Sequence, residues 1–224
     1  MVESSNRGLI IGIATVTVII FAGLVWLLVS APGDAGAPII HQDENVTFSD
    51  ERAPSLGAVD AKVLVHLYGD FQCPACRSAE PGIKYAISTY QDRVRFIWKD
   101  FPLTQIHPNA QLSANAARCA QAQDRFWDYH EKIYDVQLEW VGLSAQQAQD
   151  KFIGYAKDLR LNEEMFGSCL IAREPQAKIS ADIAEGTRNK VDATPTVFIN
   201  QRRYFGMSSA QWDEALRAAL QRAN

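Results

Sequence analysis

The sequence predicts an α/β domain that carries an inserted all-helical subdomain and follows one N-terminal transmembrane helix. Three observations predict it. A strand, a helix and a second strand occur in that order between residues 62 and 98. A strand-free helical block then runs from about His107 to Lys190. At the other end, Leu9 to Val29 are 21 consecutive uncharged, mostly apolar residues.

At about 1.5 Å per residue, that N-terminal run matches the thickness of a bilayer's hydrocarbon core. Val29-Ser30-Ala31 resembles a small-residue cleavage site, which leaves a secretory signal as the alternative. Signal cores usually run only about 7 to 15 residues, so an uncleaved anchor is favoured. Arg7 is the one basic residue ahead of the run, with Glu3 partly offsetting it, and places the N-terminus in the cytoplasm and the rest outside. Residues 31–56 hold Pro32, Gly33, Gly36, Pro38 and Pro54 and keep no sustained period, so they read as a flexible tether, with a short strand open at Val46 to Phe48. The remaining residues, 57–224, form one domain, with the helical insertion at about 104–190. With 224 residues, 47% of them hydrophobic, the chain can bury one core of ordinary size. A formal charge of -4 and no Lys/Arg-rich block exclude an electrostatic footprint for nucleic acid.

Lys62 to Tyr68 is rich in β-branched and aromatic residues and ends at Gly69-Asp70, as a buried strand does. It leads into Phe71-Gln72-Cys73-Pro74-Ala75-Cys76-Arg77. Pro74 to about Tyr90 has helical character and Val94 to Trp98 is a second strand, which together make a parallel crossover unit. Two cysteines three residues apart close a small disulfide ring at little entropic cost. A thiolate at a helix N-terminus is stabilised by unpaired N–H groups and the helix dipole. Cys73 is therefore the attacking sulfur and Cys76, one turn into the helix, the resolving one, with Pro74 tolerated in the first turn. C-x-x-C also occurs in zinc sites and c-type haem attachment. Arg77 in place of histidine excludes the haem reading. Zinc would need two further ligands, and Cys119 and Cys169 stand alone, so no metal site is expected. Metal or purely structural use of the pair stays open on the spacing alone.

Within the helical block, Phe126, Trp127, His130, Ile133 and Tyr134 recur at helical spacing, and Ser144 caps a segment running to about Leu159. His130, Trp127 and Tyr134 read as core residues, the histidine with a hydrogen-bond partner. After the block, Thr194-Pro195 lead into a strand up to Asn200, Arg203 to Phe205 can pair with it, and a helix from about Ser209 to Arg222 closes the chain.

Leu56-Gly57, Asp60-Ala61, Asp70 to Cys76, Phe101-Pro102-Leu103, Phe126-Trp127 with His130, and Ala193-Thr194-Pro195-Thr196 together resemble the thioredoxin superfamily, in its DsbA-like branch with a helical insertion. The resemblance covers about Leu56 to the C-terminus. It implies a thioredoxin fold and a thiol:disulfide oxidoreductase that needs no cofactor. Pro74 and Ala75 are then the active-site dipeptide. Pro195 is the cis-proline opposite the dithiol and, with Thr194, presents backbone to an extended substrate chain. Implied partners are unfolded or partly folded exported proteins with free thiols and, for reoxidation, a quinone-linked membrane oxidase. Cys119 and Cys169 resemble a second, structural disulfide, two unpaired buried thiols being the alternative. The chain departs from the family at Leu67, where relatives often carry a buried acid; His66 should face the other side of the strand. Disulfide donation is the leading reading. A reductase or isomerase with the same site is the nearest alternative, and a tethered, non-enzymatic binding or chaperone-like module a further one.

Overall fold

The computed structural model of the chain describes residues 45–223 and, ahead of them, only Phe21, His41 and Gln42. The expected anchor at Leu9–Val29 therefore lies, Phe21 apart, outside the described residues. Among the described residues no helix is long and apolar enough to cross a membrane.

Six strands make one sheet: β1 (His41–Gln42), β2 (Ser55–Gly57), β3 (Val63–Gly69), β4 (Val94–Asp100), β5 (Thr196–Ile199) and β6 (Arg202–Tyr204). Seven helices are described: α1 (Pro74–Tyr90), α2 (Ala110–Gln121), α3 (Phe126–Asp135), α4 (Ala145–Asp158), α5 (Glu163–Ala172), α6 (Gln176–Arg188) and α7 (Ser209–Ala223). The sheet order is β1-β6-β5-β3-β4-β2. Only β3 and β4 are parallel, joined through α1, and every other pair is antiparallel. Such a mixed α/β sheet, with α2–α6 inserted between β4 and β5, is a thioredoxin-like fold.

Side chains alternate across the pleat, so one sequence run serves two cores. Val63, Val65 and Leu67, with Val94, Phe96, Trp98, Val197 and Ile199, face α1, α7 and the helical insertion. Tyr68 and Phe198 face the back with Phe101, Val46 and Val191. His66 also points to the back, stacked on Phe48 with ring centroids 3.7 Å apart. Gly69 is required by close approach: a Cβ there would lie 2.1 Å from the Trp98 ring. Gly69→Ala is expected to cost about 1–3 kcal/mol, read as a lower midpoint in urea, because Trp98 has packed neighbours on its far side and cannot retreat.

In the insertion, α2 is almost wholly buried, and its alanines let α3, α4, α5 and α6 approach closely. Cys119 on α2 and Cys169 on α5 are bonded, with 5.8 Å between their Cα atoms. Ser144 forms a capping box with Gln147 at the start of α4.

The expected tether differs from its described part. Residues 45–54 run over the back of the sheet from the β6 edge, where β1 pairs, to the β4 edge, where β2 pairs. Val46–Phe48 is not a strand, because side chains rather than a neighbouring strand meet its backbone. Asn189 receives the Thr47 N–H at 3.3 Å and donates to the Thr47 carbonyl at 3.0 Å, and Glu185 takes the Ser49 N–H at 2.6 Å. Beneath this strap the buried Lys99 ammonium donates to the Ser49 carbonyl and lies 3.0 Å from Glu185 and 3.4 Å from Asp50. Arg118 bridges Asp100, at 2.5 Å, and Asp182, joining the insertion to the end of β4.

Candidate dithiol active site

β3 ends at Gly69, and Asp70-Phe71-Gln72 turn the chain into α1. The turn is fixed by hydrogen bonds that spend nearly every polar group it has. The buried Asp70 carboxylate accepts from the Gln72 N–H at 2.8 Å, the Leu103 N–H at 2.9 Å and His107 Nδ1 at 2.6 Å. Its carbonyl accepts from the Cys73 N–H and the Tyr134 hydroxyl, both at 3.1 Å. Gln137 Nε2 donates to the carbonyls of Phe71, at 2.8 Å, and Cys73, at 3.0 Å. Gln72 is itself held between the Val141 carbonyl and the Asn109 N–H.

This framework leaves Cys73 as the N-cap of α1, in extended backbone, with Pro74 as the first helical residue. Cys76 sits in the first turn, and both are free, buried thiols. The Thr194–Pro195 peptide bond is cis, and the Thr194 carbonyl stands 3.4 Å from Cys73 Sγ. Cys73, Pro74, Ala75, Cys76, Thr194 and Pro195 are thus brought together, while Cys119–Cys169 lies apart in the insertion.

The two sulfurs are held in opposite states. The Cys76 thiol donating to Cys73 is the largest influence drawing the Cys73 pKa down to about 5. Burial opposes it, and the Cys76 N–H, the Thr194 side chain and the Ala75 N–H add to it. Burial pushes the Cys76 thiol up, and the hydrogen bond and charge of Cys73 push it further. One sulfur is a ready thiolate at neutral pH and the other keeps its proton. Beside Cys73, a cavity of about 300 Å³ is lined by Gln72, Pro74, Arg77, His107, Leu138 and Val141, with Leu138 exposed. Among the described residues no group of three or more His, Cys, Asp or Glu side chains is arranged for a metal ion.

Sequence reading missed the residues that hold the turn. Gln137, His107 and Asn109 are isolated polar residues in the helical block, and nothing in their neighbours marks them. His130 is core, ringed by Phe71, Trp98, Phe126, Trp127 and Tyr134. Its Nε2, however, has no hydrogen-bond partner, which departs from the satisfied histidine expected. Burial, with Lys84 adding to it, holds His130 down to about 3, so the ring is neutral.

The thioredoxin family model described as "Thioredoxin" matches residues 49–222. A Na(+)/H(+) antiporter NhaA 1 from Salinispora arenicola is 33% identical over 178 residues, 80% of this chain but 26% of that protein. The chain thus spans about a quarter of the length of that relative. A probable disulfide bond formation protein D from Bacillus anthracis is 27% identical over 209 residues, covering 88% of this chain and 90% of its own. Among solved structures, BdbD from Bacillus subtilis superposes with a TM-score of 0.70 at 22% identity, over 81% of this chain and 100% of its own. Wolbachia pipientis alpha-DsbA1 does so with 0.69 at 15% identity, over 80% and 94%. With a family match over most of its length, and with BdbD and alpha-DsbA1 sharing its fold, the chain belongs to the thioredoxin family.

Proposed function

We propose that the chain donates disulfides to exported proteins through Cys73 and Cys76 while anchored by Leu9–Val29, its catalytic domain outside the cytoplasm. The single observation that carries the direction is the depressed Cys73 thiol beside a Cys76 that stays protonated. A sulfur whose anion is stabilised is a good leaving group, and stabilising the reduced form makes the disulfide oxidising.

A substrate thiolate attacks Cys73 Sγ of the oxidised form. The substrate–Cys73 bond forms and the Cys73–Cys76 bond breaks, leaving Cys76 as the anion to be protonated. A second substrate thiolate attacks the substrate sulfur of this mixed disulfide and expels Cys73 as its thiolate. The substrate is oxidised by two electrons and the dithiol reduced by two. The backbone beside Thr194 and Pro195 and the Leu138-lined cavity are where an extended, partly folded chain would lie, read by shape and main-chain pairing more than by sequence. Reoxidation would fall to a quinone-linked membrane oxidase, by analogy with the DsbA-like resemblance. A relative named as an antiporter, which carries a similar domain as part of a longer chain, supports a site of action next to a membrane.

The test is the reduction potential of the Cys73–Cys76 pair by glutathione equilibration. The expected value is about -120 to -180 mV; a value near about -270 mV would establish the reductase direction instead. The same titration against pH checks the Cys73 thiol. Below about pH 5 reduction takes up two protons and the potential falls about 59 mV per pH unit; above it, with Cys73 ionised, the fall halves.

A further inference from the structure

In each cycle Cys76 must gain a proton when the disulfide opens and give it up when the disulfide closes. The strand beneath it presents Val63, Val65 and Leu67 to this core, none of them an acid, and the Asp100 carboxylate at the end of β4 is taken by Trp98 and Arg118. Glu80 offers an acid. It lies four residues after Cys76 on α1, which stacks the two side chains on one helix face with Cβ atoms about 5–6 Å apart. Glu80 is only 5% exposed, and neither of its carboxyl oxygens has a hydrogen-bond partner. A carboxyl left so costs stability and needs a reason.

The groups facing it are Lys84 on its own helix and His130, Glu131, Tyr134 and Asp135 on α3. Lys84 is engaged by Glu131 at 2.6 Å and Asp135 at 3.2 Å. His130 Nε2 is 3.7 Å from Glu80 Oε1, beyond a hydrogen bond. The Tyr134 phenol, pushed up by burial first, is raised further by the charges of Cys76 and Glu80, so it stands within range of both. Glu80 lines a cavity of about 360 Å³ together with Lys84, Trp127, His130 and the exposed Glu131 and Gln91. Burial pushes the Glu80 carboxyl up to about 8, against Lys84 and with help from Asp135 and Glu131. It is therefore about nine-tenths protonated at pH 7, and its proton passes downhill to a Cys76 thiolate whose own pKa is higher still.

We infer that Glu80 is the proton relay for Cys76, exchanging with solvent through the cavity between α1 and α3. When an incoming thiolate breaks the Cys73–Cys76 bond, the Glu80 carboxylic acid protonates the Cys76 thiolate and becomes a carboxylate, which refills from the cavity. When the disulfide closes, the carboxylate takes the Cys76 proton as that sulfur attacks the mixed disulfide on Cys73. The inference rests on the dithiol reading.

The test is single-turnover reduction of the oxidised protein by dithiothreitol from about pH 5 to 10, with rates expressed per thiolate. The native protein should lose rate through an inflection near pH 8. Glu80→Gln should lack that inflection and react at least about 10-fold more slowly at pH 7, the low end of general acid–base effects. An unchanged rate and inflection in Glu80→Gln would overturn the relay. Alkylation of Cys73 keeps its midpoint near pH 5 in both proteins if only proton delivery has changed. Cys73→Ser run alongside separates the two readings, since exchange that survives it sinks the dithiol itself. If Glu80→Gln does not fold, isotope-edited infrared of the native protein reads the carboxyl directly. A protonated band lost near pH 8 supports the relay, and its absence at pH 7 overturns it.

Discussion

Cys73→Ser is expected to lower thiol–disulfide exchange by more than about 10³-fold, since a serine hydroxyl neither ionises near neutrality nor forms the mixed disulfide. Cys76→Ala should behave differently. It leaves the attacking sulfur but removes the hydrogen bond that does most to lower its pKa, so Cys73 moves back toward an ordinary thiol. With no resolving sulfur, mixed disulfides with client proteins should accumulate and be visible by intact mass without reductant. A Cys73→Ser protein that still oxidises a model peptide would refute the assignment. Stability carries the same signature. The Cys73 pKa is depressed in the fold, so its contribution to the reduced protein is complete above about pH 9 and is lost as pH falls through about 5. At pH 7 the two-unit interval down to that value corresponds to about 2.7 kcal/mol, or about 1–2 after discounting for solvent. The stability difference between the reduced native protein and reduced Cys73→Ser should shrink by that margin between pH 7 and pH 4.

Opening Cys119–Cys169 is expected to produce the largest loss of stability. The bond joins α2 to α5 across 50 residues of sequence. In the chain-entropy model a loop of that length is worth about 4 kcal/mol. For a domain of this size, that corresponds to a fall in melting temperature of about 8–16 °C. Cys119→Ala with Cys169→Ala should show this in calorimetry while leaving Cys73 alkylation unchanged, because neither residue lies at the dithiol. Equal melting temperatures would mean that the helices hold the insertion without the bond.

What the sequence made legible is what it encodes locally. The run of β-branched residues before Cys73 and the helical period after it fix β3 and α1 within a residue or so, and the β3–α1–β4 crossover follows from their order. What it hid depends on distance. Gln137 acts on the carbonyls of Phe71 and Cys73, more than 60 residues away, and a lone glutamine carries no periodicity to betray it. β2 is three residues long and exists because β4 offers it an edge. Val46–Phe48 has strand-like chemistry, yet its Thr47 backbone pairs with the Asn189 side chain just beyond α6. The unpaired carboxyl of Glu80 shows only once α3 is packed over α1.

The strap over the back of the sheet has a mechanical consequence. A pull arriving from upstream of His41 enters the domain at β1, on one edge, and is spread along residues 45–54 to β2 on the other. Its lateral hold is the contact of Phe48 with His66 and the Lys99 cluster, which load β3, β4 and α6 together rather than peeling away one strand. The Asp70–Cys76 turn lies outside that line of force. Tension applied at β1 would load the back of the sheet and leave the two sulfurs where they are.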